Sequence, residues 1–216
     1  MEKLAVFGAS GKTGKVFVPE ALRRGYALNA LVRNPSRVQD TSAAMHLIKG
    51  DIQNPEDVEL CLEGTTAVVS LVGHVKACPP DLQEQFMHSL LPAMQKRGIN
   101  RLITLTGAGV PDPVKDGRNL VNDLLSYVMT HFAGKAFHHR MVDGIRHVDC
   151  IRRYDDLDWT VVRAPILTRQ KGRGYVRSGQ LGSVRGYSLR REDLVRFMLD
   201  ELEEPQWIRG MPYLSS

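Results

Sequence analysis

Cysteine is scarce in this chain. Cys61, Cys78 and Cys150 make an odd set with no C-x-x-C pair. That excludes a disulfide scaffold and a zinc ribbon, and it points to a reducing, cytoplasmic setting. Long hydrophobic runs are missing too, and none approaches the ~20 apolar residues of a membrane span. The first strand-like run begins within a few residues of Met1, so no signal peptide is expected. Repeats, low-complexity tracts and evident linkers are also absent. Ser10 and Ser70 lack the strand-to-helix elbow of a hydrolase nucleophile.

What remains is enough for one domain. The chain has 216 residues, 43% of them hydrophobic, and a formal charge of +5. That size and composition allow a sizeable core. The modest positive charge fits an anionic small-molecule partner better than nucleic acid.

The chain is organised around Leu4 to Gly14. Leu4 to Phe7 is a short apolar run, as expected of a buried parallel strand. The turn Gly8-Ala9-Ser10-Gly11-Lys12-Thr13-Gly14 follows, and then a helix-compatible stretch to Arg24. Strand, glycine turn and helix together form the setting in which glycines receive a dinucleotide pyrophosphate. The first glycine permits the turn, the second lets the backbone approach the phosphates, and the third lets helix and strand pack closely. Free amides at the helix start and the positive end of its dipole then face the anion. The spacing is G-x-x-G-x-x-G, and it does not end as a P-loop does.

Apolar strands then alternate with helical patterns. Strands are expected at Ala27 to Val32, Met45 to Lys49, Ala67 to Val72, Arg101 to Thr106 and Trp159 to Val162. Helices are expected from Thr13 to Arg24, from Asn54-Pro55 to near Gly64, and from Pro80 to Arg97. A further helical region runs from Leu120 to Tyr154, broken near Ala133-Gly134. A basic, irregular flap spans Ile166 to Gly186. Ser188 or Arg190 opens a last helix, and the C-terminus adds an edge strand. Such alternation predicts an α/β fold, a Rossmann-type doubly wound parallel sheet with helices on both faces. It predicts a single domain over 1–216, with a small substrate region in 107–156 and 164–190. Ligands bind outside the carboxyl ends of such strands.

At the end of the second strand, an NAD site usually places an acid on the ribose 2′-hydroxyl. Here the sequence is Leu31-Val32-Arg33-Asn34-Pro35-Ser36-Arg37. A carboxylate would repel a 2′-phosphate, whereas guanidinium groups bind one bidentately. NADP(H) is therefore the expected cofactor, with Arg33, Ser36 and Arg37 around its phosphate. The alternative is a solvated basic loop. Ser10, Gly11, Lys12, Thr13 and Gly14, with Gly8, are expected at the pyrophosphate, and Asp51 and Ile52 near adenine. Leu71, Val72 and Gly73 should pass beneath the ribose and pyrophosphate. Thr106 and Gly107 should lie near the nicotinamide ribose, and Pro165, Ile166 and Leu167 along the nicotinamide ring.

These motifs, with Gly50-Asp51 and Leu157-Asp158-Trp159-Thr160-Val161-Val162-Arg163-Ala164-Pro165, resemble the atypical short-chain dehydrogenase/reductases. The nearest groups are the NmrA-like NAD(P)H-binding proteins and the flavin reductases of the biliverdin reductase B type. The resemblance covers nearly the whole chain and is weakest over Arg118 to Arg146. It implies an NADPH pocket beneath a small substrate region. Members reduce flavins, quinones or tetrapyrroles, or sense the dinucleotide and act through partners.

Typical short-chain dehydrogenases carry a Tyr-x-x-x-Lys pair, whose lysine prepares the tyrosine for proton transfer. Four positions after Tyr26, Tyr127, Tyr154, Tyr175 and Tyr187 stand Ala30, His131, Asp158, Gly179 and Arg191. Without that pair, an NADPH-dependent reductase of a flavin, quinone or similar conjugated acceptor is the expected function. A catalytically silent NADP(H) sensor is the alternative. A nucleotide-sugar epimerase or dehydratase suffers from the same absence. Thr106 and His147 are the catalytic candidates, with Asp149 near the same helix. His131, His138, His139 and His147 lack metal-ligand spacing, so no metal is expected. Arg163, Arg169, Lys171, Arg173, Arg177, Arg185, Arg190 and Arg191 make the last third basic. With only Tyr175 and Tyr187 among them, they read as a flap for an anionic substrate or the cofactor phosphates. A monomer or weak homodimer is expected.

Overall fold

The computed structural model describes residues 2–38, 42–74, 78–116 and 135–216. Tyr127, His131 and the expected helix break at Ala133-Gly134 lie outside them. Eight of the described strands form one sheet, in the order β3-β2-β1-β4-β5-β6-β10-β8. Its left half is β1 (Lys3–Phe7), β2 (Ala27–Val32) and β3 (Met45–Lys49). Its right half runs through β4 (Ala67–Ser70), β5 (Arg101–Gly107) and β6 (Asp158–Ala164). All of these pair in parallel. The strand order reverses between β1 and β4, which opens the crevice where a doubly wound sheet binds its ligand.

Two apolar layers cover the sheet. Leu4 and Val6 of β1 face α1 (Gly14–Arg23) and α5 (Arg191–Glu203). Ala5 and Phe7 face α2 (Pro55–Cys61), α3 (Leu82–Lys96) and α4 (Lys135–Arg152). Alternation along a strand therefore serves two cores, which is why these strands read as continuous apolar runs. Phe7 meets Phe86 edge-on with centroids 4.8 Å apart. Local signals place the helix ends. Asn54 accepts the Glu56 amide ahead of α2, with Pro55 beside it. Gly25, at φ +89°, closes α1.

The last third departs from expectation. The stretch read as irregular contains β7 (Ile166–Thr168) and β8 (Arg177–Gly179). Of the two residues expected to open the last helix, Arg190 is its N-cap, whereas Ser188 lies upstream in a further strand, β9 (Ser188–Arg190), parallel to β7. Leu189 is fully buried there, and Arg190 is still extended where α5 begins. The C-terminal β10 (Tyr213–Ser215) is not at an edge. It lies between β6, which it meets in parallel, and the antiparallel β8. Among the described residues, no helix is long and apolar enough to cross a membrane.

Candidate dinucleotide and acceptor site

The glycine turn lies at the crevice. The Leu71 amide donates to the Phe7 carbonyl at 2.8 Å, which holds the end of β4 against the turn. Gly8 has φ +89°, and a Cβ there would stand 2.9 Å from the Leu71 carbonyl carbon. A Cβ on Gly14 would come within 2.2 Å of the Ala9 carbonyl oxygen. Gly11 is different. It is exposed, its amide closes the turn on the Gly8 carbonyl at 3.0 Å, and little stands above it.

The start of α1 is uncompensated. Thr13 makes no side-chain cap, and no acid lies in the first turn. Among the described residues, the amides of Ser10, Lys12, Thr13 and Gly14 have no protein acceptor. Orphan amides at a helix start, unopposed by a carboxylate, form an anion site. The residues present therefore fit a pyrophosphate.

At the end of β2, Asn34 shapes a short 3-10 turn, Pro35–Arg37. Its Oδ1 accepts the Ser36 amide at 3.1 Å and the Ser36 hydroxyl at 2.8 Å. Arg33, Ser36 and Arg37 are all exposed, and no ion pair among the described residues engages either arginine. Nearby, the Asp57 carboxylate accepts the Asp51 amide at 2.9 Å, and Ile52 packs on the core. Leu71 and Val72 are buried, while Gly73 and Gly107 face open space. Beyond β6, Pro165 and Leu167 are half-buried, and Ile166 is 72% exposed at the strand ends.

The first turn of α5 holds the flap in place. Glu192 accepts the Gly172 amide at 2.6 Å. Asp193 accepts those of Arg173 and Gly174 at 3.0 and 3.1 Å. Between this loop and the glycine turn lies a cleft of about 580 Å³, with Lys12 and Lys15 on one wall and Arg169 and Arg191 on the other.

The catalytic candidates lie deeper. His147 is fully buried, with Nε2 3.2 Å from Thr104 Oγ1 and Nδ1 without a partner among the described residues. Thr106 Oγ1 is also buried without a partner among the described residues. Asp149 is exposed on α4. Burial pushes the His147 pKa down to about 4, against a smaller upward pull from Asp143. The folded protein therefore keeps His147 neutral, while the unfolded chain protonates near pH 6.5. Stability is full above pH 6.5 and falls as pH drops toward 4, by about 3 kcal/mol in all. In urea melts, His147→Gln should flatten this window. A variant as acid-sensitive as the parent would mean that the fold accommodates a charged His147.

Three features escaped sequence reasoning. His74, just past β4, places Nε2 2.9 Å from Asp143 Oδ2. Asp143 also accepts the Gln83 and Glu84 amides at 2.9 Å, capping α3 from α4. Burial pushes its pKa up, but the bonds from His74 and these amides outweigh burial and lower it. Gln83 Nε2 then ties the Val72 and Leu105 carbonyls, fixing the ends of β4 and β5. The third feature is a correction: Arg163, read as part of the solvated basic flap, is fully buried. It forms a two-pronged pair with Asp116, which also accepts the amides of Asp112 and Leu181. An unpaired guanidinium could not be buried so deeply. This arginine fastens the loop after β5 and the end of the flap to β6.

A family model described as NAD(P)H-binding matches residues 8–205, from the first glycine of the turn through α5. The chain belongs to this NAD(P)H-binding family. Uncharacterized protein YwnB of Bacillus subtilis is 30% identical over 109 residues, 50% of this chain and 48% of that protein. The chain spans about half or less of the curated relatives it matches. A solved candidate exported protein from Burkholderia pseudomallei is 26% identical, with TM-score 0.79 and complete coverage of both chains. A candidate NADH-flavin reductase from Streptococcus pneumoniae is 24% identical, with TM-score 0.77 and 99% coverage of each. That last likeness shows the fold. An NAD(P)H-binding Rossmann fold accounts for the open glycine turn and the uncapped α1.

Proposed function

We propose that the protein is an NADPH-dependent reductase that passes hydride to a flavin, quinone or similar conjugated acceptor. One observation carries this reading: the uncapped start of α1 above Gly11 follows on the strand next to β2, whose end carries two arginines with no ion pair among the described residues. When bound, the dinucleotide supplies a hydride from its nicotinamide ring. The chain's own residues do the rest. Ser10 to Gly14 hold the pyrophosphate through backbone amides. Arg33, Ser36 and Arg37 hold the 2′-phosphate. Exposed Ile166, with Pro165 and Leu167, gives an apolar wall against which a flat acceptor stacks, limits its movement and excludes water. No protein acid is required, because the proton of a reduced flavin or quinone can come from solvent. His147 stays in the core and does not take part.

The buried state of His147 and Thr106 and the missing Tyr-x-x-x-Lys pair favour one second reading, a silent NADP(H) sensor that acts through a partner. An NADPH oxidation assay with flavin mononucleotide and a quinone panel separates the two. Absorbance at 340 nm should fall with at least one acceptor. Tight NADPH binding with no turnover on any acceptor would give the assignment to the sensor.

A further inference from the structure

We infer that the cleft between the glycine turn and the flap binds an anionic group, phosphate or carboxylate, carried by the hydride acceptor itself. This rests on the reductase reading and names the substrate class within it. Lys12, Lys15, Arg169 and Arg191 line the cleft, and Glu192 is the one acid in its lining. The Glu192 carboxylate is engaged with the Gly172 amide at 2.6 Å, and Asp193 beside it holds two further flap amides. Both acids thus fasten the flap. Among the described residues, no carboxylate forms an ion pair with any of the four cations.

Two further observations show that this charge lacks compensation. Arg191 Nη1 donates to the Thr168 carbonyl at 3.1 Å, yet Arg191 Nε and Thr168 Oγ1 are buried with no partner among the described residues. Burial lowers the Arg191 pKa, and the nearby Arg169 charge lowers it further. Converging cations and orphaned polar atoms cost free energy that a bound anion offsets.

Position identifies the anion. In the sheet order, β2 with Arg33 and Arg37 lies on one side of the switch between β1 and β4, and β6 lies on the other. A dinucleotide with its 2′-phosphate at β2 reaches the flap with its nicotinamide end. An acceptor stacked by Ile166 then has its tail beside Arg169. The competing occupant is the pyrophosphate, which shares Ser10, Gly11 and Lys12 with the cleft, while Lys15, Arg169 and Arg191 lie outside the turn assigned to it.

The test pairs acceptors that share a ring system and differ in a negative tail: flavin mononucleotide with riboflavin, and 10-carboxymethylflavin with 10-methylflavin (lumiflavin). Binding to the NADP⁺-saturated protein is measured for wild type, Arg169→Ala and Lys15→Ala/Arg169→Ala, alongside NADP⁺ affinity. At least one anionic member should bind tenfold or more tightly than its neutral partner. The double variant should remove that preference while neutral ligands and NADP⁺ change less than twofold. Absence of preference in both pairs, including absence of binding, overturns the inference. So does a tenfold loss of NADP⁺ affinity in the double variant, which would give the cleft to the pyrophosphate. Because the readout is binding, the two readings fail separately. Anion preference without NADPH turnover refutes the reductase. Turnover without anion preference refutes the cleft.

Discussion

Replacing Arg33 and Arg37 together by alanine should raise the NADPH dissociation constant roughly a hundredfold, from two lost charge-assisted contacts of about 1.5 kcal/mol each. NADH affinity should change less than threefold. The asymmetry follows from the site. The turn that carries these arginines is built by Asn34 and Ser36, so its backbone survives the substitution. Neither arginine packs into the core, since both are exposed. Only the ligand's 2′-phosphate should register the loss. Titrations of both nucleotides on the same preparation provide the check. Equal losses for NADPH and NADH would mean that the pair supports the loop and does not read the phosphate.

Gly14→Ala should have a larger effect on the whole molecule. A methyl group there falls 2.2 Å from the Ala9 carbonyl oxygen and 2.4 Å from that of Gly8. Both are backbone atoms at the turn, so no flexible side chain can move aside. Either α1 lifts from β1 or the turn opens. The expected cost is about 3 kcal/mol, at the upper end for overpacking. Binding of either dinucleotide should vanish, because the α1 amides leave their position. Gly11→Ala is the control. Its Cβ meets only the Gly8 carbonyl oxygen, at 3.1 Å, so stability should fall by no more than about 1 kcal/mol. Dinucleotide binding should still drop, as a methyl group would stand where the phosphates approach. Thermal melts and dinucleotide titrations of the two variants separate packing from ligand access. A Gly14→Ala protein as stable as the parent would contradict the close approach of α1 and the turn.

Much of this architecture was legible from local features. The strands β1, β2, β4, β5 and β6 appear as apolar runs because both faces of a parallel sheet are covered, whereas the edge strand β3 buries only Ile48, and strand boundaries follow from Gly8, Gly25, Gly50, Gly64 and Gly98. Asn54-Pro55 marked a helix start because cap and first-turn chemistry is local. The three-residue strands β7, β8 and β9 were illegible because their pairing partners lie far along the chain and they show no periodicity. β10 was visible as a strand, but its place inside the sheet depends on β8 pairing with it.

The polar interior was hidden for the same reason. His74 and Asp143 are bonded across a wide sequence gap, and each alone is an ordinary polar residue. Arg163 follows directly on the apolar run Trp159 to Val162 and reads as the first of the basic flap residues, and nothing local reveals its buried partner Asp116. The glycine turn was the easier case. Its function depends on backbone geometry, and the spacing of the glycines encodes that geometry directly.

The central claim is that the bare amides above Gly11 take a dinucleotide diphosphate, and that the basic end of β2 selects the phosphorylated form. Isothermal titration of the folded protein with NADPH and with NADH tests it most directly. One-to-one binding of NADPH, at least tenfold tighter than NADH, is the predicted result. Failure of well-folded protein to take up either nucleotide would contradict the account.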